Sequence, residues 1–173
     1  MNQQVNLIEI LHPKMDILFL ALNPPEKSNS NGHYFSGSMS FWNLIYKAGL
    51  ITKEVNSPLS GDDEVFRDNK NNYNKKVYGI TDLCHDIVQT KSSMVYIDKH
   101  RVHRILSLLE NYEVKKLCLI HSDVGKAFKN ISGIDRSKKY GLIGKINHTL
   151  IYEMPFHNAS IANKEIEYQK LIK

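Results

Sequence analysis

The sequence predicts an α/β fold, a three-layer α/β/α sandwich around a short, mostly parallel central sheet, and three observations predict it. Asp16 to Leu22 and Lys116 to Ile120 are continuous apolar runs, the pattern of strands covered on both faces. Each is followed by a polar turn and then by apolar residues at helical spacing. A third such run, Thr149 to Met154, stops at Pro155, and a helix then closes the chain.

In chain order, Val5, Ile8 and Leu11 form a short periodic start that breaks at His12-Pro13. The first strand ends at Asn23-Pro24-Pro25, because two prolines cannot donate to a ladder. Glu26 to Gly32, rich in Ser and Asn, reads as a loop. Ser40 is the N-cap of a helix carrying Phe41, Leu44, Ile45 and Ala48, stopped by Gly49. Thr52 to Lys76, polar and with an acidic Asp62-Asp63-Glu64 patch, reads as a surface excursion and no separate domain.

Val77 to Asp82 is a short extended segment, and Asp98 caps an amphipathic helix with Val102, Ile105, Leu106 and Leu109 on one side. The second buried strand passes through His121-Ser122-Asp123 into a helix from Ser122 to Phe128. Ile131 to Gly144 is a loop or hairpin. Residues 1–173 are expected to form one domain.

Composition narrows the functional classes. Hydrophobic residues make up 42% of the chain, enough for a core, and no apolar run approaches the ~20 residues of a membrane span. Met1 to Leu11 lacks the basic start and apolar middle of an export leader, so a cytoplasmic, intracellular location is expected. Cys84 and Cys118 are too few for a disulfide framework, a four-thiolate zinc site or a four-cysteine iron–sulfur cluster. Chemistry is therefore expected from side chains, without metal or cofactor.

The net charge is +5, and the segment from Lys115 to Lys145 holds eight Lys or Arg against two Asp. That asymmetry suits a polyanionic partner, with Lys126, Lys129, Arg136, Lys138, Lys139 and Lys145 either meeting phosphates or forming a solvated face.

Several signals lead elsewhere. His100 and His103 read as a solvated helix face, and Gly125-Lys126 lacks the flanking residues of a phosphate-binding loop. Cys84 beside His85 lacks an orienting third group, and Trp42 belongs in the core.

In a parallel sheet, ligands bind beyond the carboxyl ends of the strands, which carry Asn23, His121 and Pro155 to Ile161. A proline-stiffened loop holds the Asn23 amide in a fixed direction, although Asn-Pro also starts ordinary turns. Tyr34 and Phe35 lie in the polar loop Gly32 to Gly37, where they either stack on a planar ligand or fold the loop onto the core.

These residues resemble the uracil-DNA glycosylase superfamily, most closely its mismatch-specific uracil/thymine branch. Ala-Leu-Asn-Pro-Pro, Gly-His-Tyr-Phe, and Phe41-Trp42 opening a helix that ends Ala48-Gly49 are similar to the branch's first motif in order and spacing. Gly79-Ile80-Thr81-Asp82-Leu83 resembles a second segment. The Tyr112 to Phe128 unit, Tyr140-Gly141 and the Met154-Pro155 loop follow in the same order.

The resemblance implies a monomeric, cofactor-free DNA glycosylase that cuts the N-glycosidic bond of a flipped uracil-like, deaminated or mismatched base and leaves an abasic site. In it, Asn23 holds the attacking water and touches the base, Phe35 beside Tyr34 stacks on the pyrimidine, and the backbone near Leu22 meets the base edge. With one residue inserted after Met154-Pro155, His157 falls at the leaving group and Ile161 at the wedge that fills the vacated stack. Without the insertion the wedge is Ser160; Asn158 belongs to the same DNA-facing loop. His157 is then either a donor to the departing base or a solvent-facing loop histidine.

The chain departs from the pattern where Ala-Leu-Asn-Pro-Pro replaces Gly-hydrophobic-Asn-Pro-Gly. Its last loop has no Pro-Ser-Gly run, and Asp82 and Asp86 stand where the branch has polar or basic groups. The rival reading is a non-catalytic member of the same fold that binds nucleic acid or a nucleotide, and a third is a partner-binding protein.

Overall fold

The computed structural model describes residues 3–173; Met1 and Asn2, with which the expected domain opens, lie outside the described residues. Five strands, β1 Lys14–Ala21, β2 Tyr78–Asp82, β3 Glu113–Leu119, β4 Gly141–Ile146 and β5 Thr149–Glu153, form one sheet in the order β2-β1-β3-β5-β4. All neighbours are parallel except β4, which pairs antiparallel with β5 as the edge hairpin. Ile131 to Gly144 divides between its two readings: residues 131–140 are a loop, bridged back from Ile134 to Gly144, and the stretch from Gly141 enters the hairpin.

Helices cover both faces, completing the α/β/α sandwich: α1 Glu26–Asn31, α2 Ser40–Lys47, α3 Lys99–Asn111, α4 Ser122–Phe128 and α5 Lys164–Gln169. Side chains alternate across a strand, so β1 feeds two cores. Ile17 and Phe19 pack with Phe41, Trp42 and Ile45 of α2 and Tyr168 of α5. Met15, Leu18 and Leu20 pack with Val102, Ile105 and Leu109 of α3 and Val124 and Phe128 of α4. Asp98 caps α3 as expected, accepting from His100 and Arg101 N–H.

Three expectations are corrected. Glu26 to Asn31 is not a loop but the short helix α1, ended by Gly32 in the left-handed region at φ +70°. Its sequence has no apolar stripe; it is fixed through buried Asn29, whose Oδ1 accepts from Asn6 N–H at 2.7 Å and whose Nδ2 donates to the Gln4 carbonyl at 2.8 Å.

Secondly, Ser40 is the first residue of α2 and the N-cap is Met39; the Ser40 hydroxyl bonds Ser38 and Asn158 instead of capping a first-turn N–H. Gly49 does terminate the helix, at φ +79°.

Thirdly, Thr52 to Lys76 is more than a surface excursion. Val55, Val65 and Phe66 are buried, and Phe66 lies 5.9 Å from Phe19 between ring centres. Buried Asp62 is satisfied by His33 and by the Tyr34 and Asp63 N–H groups. Gly61 is needed there, since a Cβ would stand 2.2 Å from Trp42 Cε2.

Among the described residues, no helix is long and apolar enough to cross a membrane.

Candidate functional site

Because β1, β2, β3 and β5 run in one direction, their carboxyl ends meet along one edge of the sheet. A cavity of about 410 Å³ opens there, within the range of roughly 300–1,000 Å³ usual for small-molecule sites. Its lining brings together Leu22, Asn23, Tyr34, Phe35, His157 and Asn158, six of the residues singled out from the sequence. It also includes His121, expected at a strand's carboxyl end, and Asp82 and Gln89, which the sequence did not single out as site residues.

Asn23 follows β1 and is half-buried. Its Nδ2 donates to the carbonyls of Gln89 at 2.7 Å and of Pro24 and Ile87 at 3.1 Å each. Three carbonyl neighbours fix which end of the amide is nitrogen, and they commit that nitrogen to the protein. A nitrogen so engaged has no N–H to spare for a ligand, and among the described residues Oδ1 makes no hydrogen bond. The Leu22 carbonyl accepts from Cys84 N–H at 2.7 Å, tying the same strand end to the segment after β2.

The two aromatic residues divide between the alternatives open in the sequence. Tyr34 is buried and belongs to the core while still bordering the cavity. Phe35, at φ +52° and half-buried, stacks on Phe41 with ring centres 3.8 Å apart and planes at 17°. One ring face is thus occupied, and Trp42 and His157 stand near-perpendicular to the ring at 5.8 and 5.5 Å.

The last loop continues the aromatic wall. His157 stands edge-on to Phe35 at 5.5 Å and lies 4.1 Å from Phe156, which is 5.3 Å from His121. His157 is not a solvent-facing loop histidine: its Nδ1 is buried and has no hydrogen-bond partner among the described residues. Burial, then the nearby Lys164 and His121, depress its pKa to about 4, so the ring is neutral at pH 7.

Lys164 Nζ donates to the His157 and Ala159 carbonyls and anchors the loop. Asn158 Oδ1 accepts from Ser40 Oγ at 3.0 Å. Ser160 is exposed and Ile161 half-buried, and neither lines the cavity.

His121 Nδ1 accepts from Asp123 N–H at 3.1 Å, capping α4 and placing the ring proton on Nε2. Burial lowers its pKa as well. Asp82, the last residue of β2, is 2% exposed, and its Oδ2 has no hydrogen-bond partner among the described residues. Burial pushes its carboxyl up to about 7. In the sequence it is an acid closing a short extended segment, and one of the two acids at which the chain departs from the branch it resembles.

The cationic residues do not form one surface. Gly141 pairs with Glu153, so exposed Lys138 and Lys139 just before β4 lie on the cavity side of the sheet. Lys145 pairs with Leu150 near the start of β5, at the opposite end, which removes it from the expected phosphate-binding set. Lys129 is held 3.7 Å from buried Glu153, and Lys126 lies 3.4 Å from Asp123. Arg136 Nε donates to the Lys129 carbonyl at 2.8 Å.

Neither cysteine is poised for attack: both are buried, and desolvation raises the Cys84 thiol to about 11 and holds that of Cys118 well above its ordinary value. His100 and His103 are exposed on α3.

Comparison with protein-family models and with curated proteins finds no match to this chain.

Proposed function

We propose that the protein is a DNA N-glycosylase that removes a flipped uracil-like, deaminated or mismatched base and leaves an abasic site. The observation that carries this reading is the Asn23 amide, locked through its nitrogen and with its oxygen unbonded among the described residues, beside a cavity with an aromatic wall and room for a nucleobase. An enzyme acting on a base needs such a pocket, because the target must leave the stack before it can be reached.

The chemistry follows from the charges that develop. The bond between the sugar C1′ and the base nitrogen breaks, its electron pair leaves with the base, and a water oxygen bonds to C1′ while its proton passes to solvent or to the departing base. Asn23 Oδ1 accepts a hydrogen bond from that water and aims it; an amide cannot take its proton. This places the burden on the leaving group, which suits bases whose anion is stable or whose pairing is weak.

His157, neutral, offers a single N–H to the developing anion without bringing a competing positive charge into an apolar wall. Phe35 supplies the stacking face. Lys138 and Lys139 meet phosphate at the cavity side, and Ser160 or Ile161 on the adjoining loop props the flipped state.

The test is incubation with duplexes and single strands bearing uracil, hypoxanthine or a G·T mismatch, followed by alkali cleavage, with Asn23→Ala as control. Scission that disappears in the variant is the expected result. DNA binding with no scission is the result expected of the non-catalytic alternative.

A further inference from the structure

The cavity contains one acid that the proposed chemistry leaves unused. Asp82 ends β2 alongside Ala21 of β1, two residues before Asn23, and sits at the cavity's buried end. The Tyr34 hydroxyl faces its carboxyl from the loop after α1. Arg104 of α3 does not neutralise it. That guanidinium bonds the Glu9 carboxylate at 3.2 Å, the Thr81 hydroxyl at 3.3 Å and the main-chain carbonyl of Asp82, while Thr81 Oγ1 donates to Glu9 at 2.6 Å.

Glu9 therefore takes the Arg104 guanidinium, and the Asp82 side chain has no ion-pair partner among the described residues. A carboxyl so enclosed favours its neutral form, which turns one oxygen from an acceptor into a donor.

We propose that Asp82, as a neutral acid beside Tyr34, is the specificity residue of the cavity, its carboxyl O–H donating to an oxo group on the edge of the bound base. This rests on the base-binding reading above and deepens it. Deamination replaces an exocyclic amino group, a donor, with an oxo group, an acceptor. A hydroxyl donor at the cavity end selects the oxo form, and an ionised carboxylate would select the amino form.

Burial is the largest influence on this acid, with Glu9 adding to the rise while Tyr34 and Arg104 oppose it. Cys84, just after β2, stays a neutral thiol in the same range. His157 and His121 titrate below the ordinary histidine value, so neither changes charge above pH 7.

The experiment titrates the full-length protein with free uracil, hypoxanthine, cytosine and adenine by calorimetry between about pH 5.5 and about 8.5, alongside scission of uracil-containing DNA over the same range. For the wild type, the oxo bases should bind better than the amino bases at low pH and weaken about tenfold per pH unit above 7. Asp82→Asn, whose amide nitrogen donates at every pH, should keep the oxo preference and lose its pH dependence. Asp82→Ala should lose the preference, with a thermal melt showing that it folds.

Oxo-base binding that is flat in pH or strengthens as pH rises overturns the proposal. So does Asp82→Asn behaving as Asp82→Ala, or the absence of any base binding. The wild-type profile decides even if a variant fails to fold. Scission without pH-dependent base preference keeps the glycosylase reading and removes this one; pH-dependent preference without scission does the reverse.

Discussion

The side-chain nitrogen of Asn23 and the main-chain carbonyl of Gln89 lie 2.7 Å apart, joining the end of β1 to a segment 66 residues further along the chain. With Ile87 and Pro24 as further acceptors, this amide is at once a wall of the cavity and a fastener for the loop after β2.

Replacing it therefore does two things. Asn23→Ala should abolish scission and also cost ~1–3 kcal/mol of stability, because buried acceptors lose their donor. Asn23→Asp, which elsewhere would provide a stronger base, should be no better: it turns a negative oxygen toward three carbonyls. Urea denaturation and the alkali-cleavage assay, run on both variants, check this; an active, fully stable Asn23→Asp would contradict it.

Acid should act on the fold in two opposed ways. His157 titrates at about 4 when folded against about 6.5 unfolded, so the unfolded chain binds more protons between those values and the histidine's contribution is lost as pH falls through them. Asp82, raised to about 7, does the opposite, its contribution being full below about 4 and lost as pH rises towards 7. Thermal melts should show the wild type losing ground to His157→Phe on acidification and to Asp82→Asn on the return to neutral pH.

DNA binding should weaken steeply between about 50 and about 200 mM salt, as for proteins with several phosphate contacts. Lys138→Ala and Lys139→Ala should each lower the slope of log K against log salt by about 1. Lys145→Ala, at the far end of the sheet, should leave it unchanged. Fluorescence anisotropy with a labelled duplex separates the three.

Asn29→Ala should release the N-terminal arm, since its amide holds the main chain at Gln4, Asn6 and Leu7. A loss of ~1–3 kcal/mol is expected, with faster amide exchange at Asn6. Leu7 borders the cavity, so base binding should weaken too.

The parts of the fold that could be read from sequence were those whose physics is local. The run through Ile17 to Leu20 is apolar on both sides, and Asp98 caps a helix with a regular apolar stripe; each carries its own signature. The helix Glu26 to Asn31 has neither stripe nor propensity, and its order comes from Asn29 reaching more than twenty residues back. Phe66 looked solitary in a polar stretch because its neighbours, Phe19 and Trp42, are distant in sequence.

The same limit applied to the site. Asn23, Phe35 and His157 stand out by their proximity to prolines, glycines and strand ends. Asp82 does not, because its burial is made by Tyr34, Glu9 and Arg104 from three other segments. His121 was visible at a strand end, but only the packing of Phe156 and His157 beside it makes it part of a wall.

The burial of Cys84 and Cys118 has a practical corollary. Thiols shielded from solvent and held protonated react slowly with maleimides, so a cysteine introduced at exposed Ser160 or Tyr96 would be the single fast-reacting position. A fluorophore could be attached there without first removing either native sulfur, giving an optical reporter of what approaches the rim.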